Sequence, residues 1–98
     1  MESSVKAVRF TMDDLTQELL DKRLEKLEFA HDKVQELDFT FTREKTHNFV
    51  LEAKIHFRWG ANAVIKNEDF DLRDGIVALM EKVDHKVRKE VDKKQDHK

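Results

Sequence analysis

Residues 34–57 read VQELDFTFTREKTHNFVLEAKIHF, and the periodicity of this stretch decides the fold. Leu37, Phe39 and Phe41 alternate with Asp38, Thr40 and Thr42. After a polar interruption from Arg43 to Asn48, Phe49, Leu51, Ala53, Ile55 and Phe57 alternate with Val50, Glu52, Lys54, His56 and Arg58. A period of two with one apolar side is the pattern of a half-buried strand. The polar interruption is a turn. Trp59-Gly60-Ala61-Asn62 makes a second turn, followed by a shorter strand with poor alternation, Ala63 to Asn67. Two consecutive hairpins imply an antiparallel meander.

Working outward towards the N-terminus, Ser4 to Phe10 reads as a strand. Thr11 and Asp13 are both good helix caps, and Asp13 and Asp14 suit the positive end of a helix. Leu15, Leu19, Leu20, Leu24 and Leu27 then recur at helical spacing through about Phe29. His31, Asp32 and Lys33 lead out of that helix with no Pro or Gly to fix its end. On the C-terminal side, Asp69 or Asp71 caps a second helix. Its apolar stripe is Leu72, Ile76, Leu79, Met80, Val83 and Val87, fading after Val91. The order is β-α-β-β-β-α, an α+β fold in which two helices pack on one face of a four-stranded sheet. The expected core has Phe39, Phe41, Leu51 and Ile55 facing Leu19, Leu20, Leu24, Ile76, Leu79 and Val83. The sequence reads as a single domain over residues 1–93 with a polar tail at 94–98.

Composition removes several classes of function. The 98-residue chain has no cysteine, which excludes disulfides, thiolate metal sites and thiol nucleophiles. Gly60 and Gly75 stand 15 residues apart, so no Gly-rich phosphate loop can be built. No apolar run reaches the roughly 20 residues of a membrane span, and the first residues lack the segments of a signal peptide. A cytoplasmic location fits these features. His31, His47, His56, His85 and His97 form no HxH or HExxH pair, so no metal site is expected. Asp14, Glu18, Asp21, Glu25 and Glu28 form one solvated stripe along the first helix, with neither the desolvation nor the coupled partner that catalytic carboxylates need. No enzyme activity and no cofactor are expected.

Charge is distributed unevenly. The chain carries 19 Lys and Arg against 21 Asp and Glu, a net of −2, the wrong sign for a simple nucleic-acid binder. Yet residues 1–44 hold a net of −4 and residues 82–98 a net of +3. On the second helix Lys82, Lys86, Lys89 and Lys93 fall within roughly 60° of one another, beside the apolar stripe. His85 lies next to them and Arg88 further round. Lys22 and Lys26 sit just off the acidic stripe of the first helix. Two readings share this pattern. One is a pair of amphipathic helices with ordinary charged flanks, which composition alone favours. The other is a two-helix ridge that follows a nucleic-acid backbone through its phosphates.

The strings that connect these elements carry a resemblance. Lys26-Leu27-Glu28 followed by Asp32-Lys33-Val34, then Glu44-Lys45, then EDFDLRDGI at Glu68–Ile76, then Lys82-Val83 with His85, Lys86, Arg88 and Lys89, run collinearly over the whole chain. In this the sequence resembles the short ribosome hibernation-promoting factors, the bacterial ribosome-associated inhibitor family also called sigma-54 modulation proteins. It departs from that pattern at Arg73, where Tyr is usual, at Gly75, where Ala is usual, and at His85, where Arg is common. The last makes one phosphate contact dependent on pH.

The resemblance implies a fold similar to double-stranded-RNA-binding domains. It also implies a function, which is to lie across the mRNA channel and tRNA sites of the small ribosomal subunit and inhibit translation by occlusion in stationary phase or stress. The expected partners are the small subunit, its rRNA and the whole ribosome, with a separate ribosome-dimerising helper protein as a further candidate. The free protein is expected to be a monomer, ending where the linker to the second domain of long-form relatives begins. The rRNA-binding residues would be Lys82, Lys86, Lys89 and Lys93, assisted by His85 and Arg88, with Lys22 and Lys26 closing the groove. The competing reading is a protein–protein adaptor that docks a basic partner on the acidic helix stripe.

Overall fold

In the computed structural model, which describes residues 1–45 and 47–95, strands β1 (Glu2–Val8), β2 (Val34–Glu44), β3 (Asn48–Phe57) and β4 (Asn62–Asp69) form one sheet in the order β1-β2-β3-β4. Strands β2, β3 and β4 are the antiparallel meander, and β1 adds to its outer side parallel to β2. Helix α1 (Asp14–Glu25) makes the crossover between the parallel pair, and helix α2 (Leu72–Gln95) follows the last strand. The α+β order read from the sequence is the order observed.

The alternation of β2 and β3 buries Phe39, Phe41, Leu51 and Ile55 to 1% exposure or less, beneath Leu20, Ile76, Leu79 and Val83. Leu19 and Leu24 are half-buried at the rim of that layer, and Leu15 is excluded from it at 63% exposure. Burying each large apolar side chain contributes about 1.5–3 kcal/mol. That seating on the sheet fixes which flanks of α2 face outward.

Three local departures from the expected elements have physical causes. Strand β1 runs Glu2–Val8 rather than Ser4 to Phe10, because Arg9 takes a left-handed backbone (φ 68°). Phe10 then turns back to pack edge-on against Phe49 at 5.2 Å. Helix α1 stops at Glu25 instead of reaching Phe29. The chain continues as a 3-10 turn at Glu28–Ala30, whose three-residue period allows Leu27 and Ala30 to be buried together. Strand β4 is longer than Ala63 to Asn67 and alternates regularly, with Ala63, Ile65, Asn67 and Asp69 on its half-buried side. Asn67 obscured the pattern, being polar on the covered face. Its amide donates to the Gly75 carbonyl oxygen (3.3 Å) and its side-chain oxygen accepts from Lys82 (2.9 Å).

Helix α2 extends through Gln95, and residues 96–98 of the expected tail, with His97, lie outside the described residues. Of the two candidate caps, Asp71 accepts from the Asp74 N–H (3.0 Å) and Asp69 from the Asp71 N–H (2.9 Å), so the pair shapes the entry together. Gly75 lets that first turn approach the sheet. A Cβ there would stand 3.0 Å from Leu51 Cδ1 and 3.1 Å from Asp69 Cβ.

Candidate nucleic-acid interface

The charged residues of α2 divide into two flanks. One looks across at α1 and the 3-10 turn. There the Arg88 Nε donates to both Asp84 oxygens (3.2 and 3.1 Å), and its guanidinium lies 4.2 Å from the centroid of the Phe29 ring. Lys26 lines the groove between the helices with Arg23, Leu27, Met80, Glu81 and Asp84, a wall of mixed sign. Lys22 is exposed one turn before Lys26.

The other flank overhangs β4. Lys82, His85, Lys86 and Lys89 gather round Ile65 and Ala78 in a shallow depression, which Glu81 also borders. Asn67 steadies the Lys82 ammonium. Lys86 donates to Glu90 at 3.0 Å and Lys93 stands 3.8 Å from the same carboxylate. The hydrogen bond from Lys86, with the charges of Lys86, Lys93 and Lys89, holds the Glu90 carboxyl below its usual range. Lys89 and His85 make no ion pair or hydrogen bond among the described residues. This row is therefore a run of cations with two acids beside it, Glu90, which pairs with Lys86 and Lys93, and Glu81 at the border, and Lys89 is left to take an external anion.

The structure thus brings together Lys82, His85, Lys86 and Lys89, with Lys93 one turn on. Arg88, Lys22 and Lys26 stand on the far side of α2 from that row. The acidic residues Asp14, Glu18, Asp21, Glu25 and Glu28 are all exposed. Asp21 accepts from Gln17 (3.0 Å) and borders a small hollow with Leu20, Leu24 and Phe39.

At the N-terminal ends of the two helices, Asp13 caps α1 by accepting from the Thr16 N–H (2.7 Å). Arg73 of α2 reaches across to Asp13 (3.5 Å) and to the Thr16 hydroxyl (3.3 Å). Hydrogen bonding from Thr16, then the Arg73 charge, keeps the Asp13 carboxyl below its usual range. Arg73 therefore ties the two helices together.

Two features escaped the sequence reading. Asn67 reads only as the end of a poorly alternating strand, and it is the support of Lys82. Trp59 looked like a turn residue, yet its ring stacks on Phe57 (5.0 Å, 20° between planes) with the Lys94 ammonium 5.7 Å from its centroid. Its signal was a tryptophan between Arg58 and Gly60 at a hairpin tip.

The chain matches, over residues 4–95, the family model described as "Sigma 54 modulation protein / S30EA ribosomal protein". Its fold is similar to that of a ribosomal subunit interface protein from Coxiella burnetii, with a TM-score of 0.80 at 18% identity, covering 91% of this chain and 96% of the other. It is also similar to the N-terminal domain of Protein Y from Thermus thermophilus, with a TM-score of 0.74 at 15% identity, covering 91% of this chain and 98% of the other. A search of curated protein sequences returned no match.

Proposed function

From the premise that this chain belongs to the sigma-54 modulation and S30EA ribosomal protein family, a ribosome-associated family and not an enzyme class, we propose that it is a ribosome hibernation factor. On this reading it acts in the cytoplasm as a monomer. It binds the rRNA of the small subunit at the decoding centre and mRNA channel, blocks the mRNA and tRNA sites, and inhibits translation in stationary phase or stress. Occlusion needs a surface that fits rRNA and no reacting group.

The observation that carries the reading is the row Lys82, Lys86, Lys89 and Lys93, a local cation excess on the open flank of α2 in a chain of net charge −2. Lysines along one line neutralise successive phosphates without selecting bases. Arg88, Lys22 and Lys26 supply a secondary contact from the α1 side.

Pelleting with vacant ribosomes at two salt concentrations tests this. Lys86→Glu with Lys89→Glu should weaken binding and flatten its salt dependence. Each phosphate left without its lysine should lower the slope by about 0.9, the value for B-DNA, or about 0.7, that for single strands. Asp21→Lys with Glu25→Lys should leave binding unchanged or tighter. The adaptor reading requires the reverse ranking. A folded Lys86/Lys89 variant that pellets and inhibits translation like the wild type would remove the lysine row from the function.

A further inference from the structure

The Trp59 depression belongs to neither flank of α2. Three segments meet there: Asp32 and Lys33 before β2, Arg58 and Trp59 at the β3–β4 turn, and Val91 and Lys94 near the end of α2, enclosing about 350 Å³. Its walls are fixed. The Arg58 N–H donates to the Lys33 carbonyl oxygen (3.0 Å), tying the turn to the entry of β2. The Gly60 N–H donates to the Phe57 carbonyl oxygen (3.0 Å), with Gly60 at φ 92°, a conformation that side chains disfavour. The indole rests on Phe57, itself only 1% exposed, so the core sets the orientation of the ring.

The chemistry of this hollow is specific. Three cations, Lys33, Arg58 and Lys94, stand round one aromatic plane and one carboxylate. Asp32 is 3.9 Å from Lys33 and its side chain is 77% exposed, so it neutralises little. A metal ion would be repelled by the cations, and an apolar peptide would leave them without partners. An aromatic plane beside positive charge suits a planar base that carries a phosphate.

We propose that this hollow holds one unpaired nucleotide of an RNA, its base against Trp59 and its phosphate among Lys33, Arg58 and Lys94. The inference deepens the RNA-binding reading above and rests on it. The lysine row leads to the hollow: Lys93 precedes Lys94, and at 1.5 Å per residue Lys86 and Lys93 lie about 10 Å apart along the helix. A duplex passing along the row keeps its bases stacked, whereas a strand end or bulge can turn one base out onto the indole.

Trp59 is the only tryptophan, so its fluorescence reports the hollow directly. The full chain is titrated with a ten-nucleotide oligouridylate, a blunt RNA duplex and uridine monophosphate, and separately pelleted with vacant ribosomes. The single strand should quench the emission, the duplex should not, and the mononucleotide should act only at much higher concentration. Lys94→Glu, which leaves the tryptophan in place, should weaken quenching by roughly tenfold with an unchanged circular dichroism spectrum. Trp59→Phe should retain most ribosome binding and Trp59→Ala lose more of it. No quenching by the single strand, equal potency of the mononucleotide, or indifference to Lys94→Glu would overturn the proposal. If the wild type pellets but the single strand leaves the emission of the free chain unchanged, the nucleotide site alone fails. If the wild type does not pellet, the ribosome reading fails, whatever the oligonucleotide does.

Discussion

The two flanks of α2 are both heavily charged, and they differ in what the charges are attached to. Towards α1, Arg88 is held by Asp84 and lies over Phe29, while Lys26 shares its groove with Glu81 and Asp84. Towards β4, Lys86 and Lys93 converge on Glu90 alone, and Lys89 has no partner among the described residues. An internally paired cation must give up its partner before it can bind a phosphate, while an unpaired one gives up only water. The net charge of a chain averages over such differences, so it is a poor guide to whether one surface attracts nucleic acid.

The hardest way to break this contrast is to unseat the helix that separates the flanks. Phe41 is 0% exposed beneath α2, and Phe41→Ala should cost about 3–5 kcal/mol in denaturant unfolding. That is a large share of the roughly 5–15 kcal/mol typical of a domain, and both flanks should lose definition together. An unchanged unfolding midpoint would mean that α2 is held by something other than this layer.

A gentler change sharpens the contrast. Glu90→Gln removes the carboxylate that pairs with Lys86 and Lys93, so ribosome binding should tighten and its salt dependence should steepen. Arg88→Ala on the opposite flank should change binding by less than the Lys86 and Lys89 reversals do. Its stability loss should be about 0.5–1 kcal/mol, as for an exposed cation over a ring. Equally weakened binding from Arg88→Ala and from the lysine reversals would erase the distinction.

The smallest effect expected is pH-dependent. The Asp13 carboxyl titrates lower in the folded chain than when unfolded, so it stabilises the fold above the unfolded value of about 3.9 and ceases to as pH falls through the folded value. Asp13→Ala should therefore lower Tm at neutral pH, and the gap to the wild type should close on acidification below about pH 4. A gap that stays constant down to about pH 2 would mean that the cap does not depend on the charge.

How much of this could be read from the sequence differs by element. The β2–β3 hairpin was legible because Phe39, Phe41, Leu51 and Ile55 have the same environment, one buried face, and alternate without exception. The stripe of α2 was legible for the same reason at the helical period. The end of α1 was not, since Leu24 and Leu27 fit both an α-helix and the 3-10 turn that replaces it, and only the burial of Ala30 decides. Strand β4 was blurred by Asn67, whose partners Gly75 and Lys82 lie 8 and 15 residues away. For the candidate site, helical arithmetic could align four lysines but could not show which flank of α2 faces α1. That is fixed by packing between elements distant in sequence, and it is why Lys22, Lys26 and Arg88 are not found beside the row. The Trp59 hollow draws on three segments and has no local pattern at all.

The parallel pairing of β1 carries a consequence for how the molecule comes together. Glu2 pairs with Glu36 and Val8 with Thr42, so every rung of that ladder closes a loop of about 34 residues. The meander, by contrast, joins strands across short turns. Loop-closure entropy opposes the distant pairing first and rewards it last, so the meander and α2 should assemble before β1 docks. During synthesis β1 leaves the ribosome before β2 and remains unpaired until β2 has followed it out. In pulse-labelled hydrogen exchange, the amides of Glu2–Val8 should gain protection later than those of Phe49–Phe57. Protection of both segments in a single phase would show that the sheet closes as one unit.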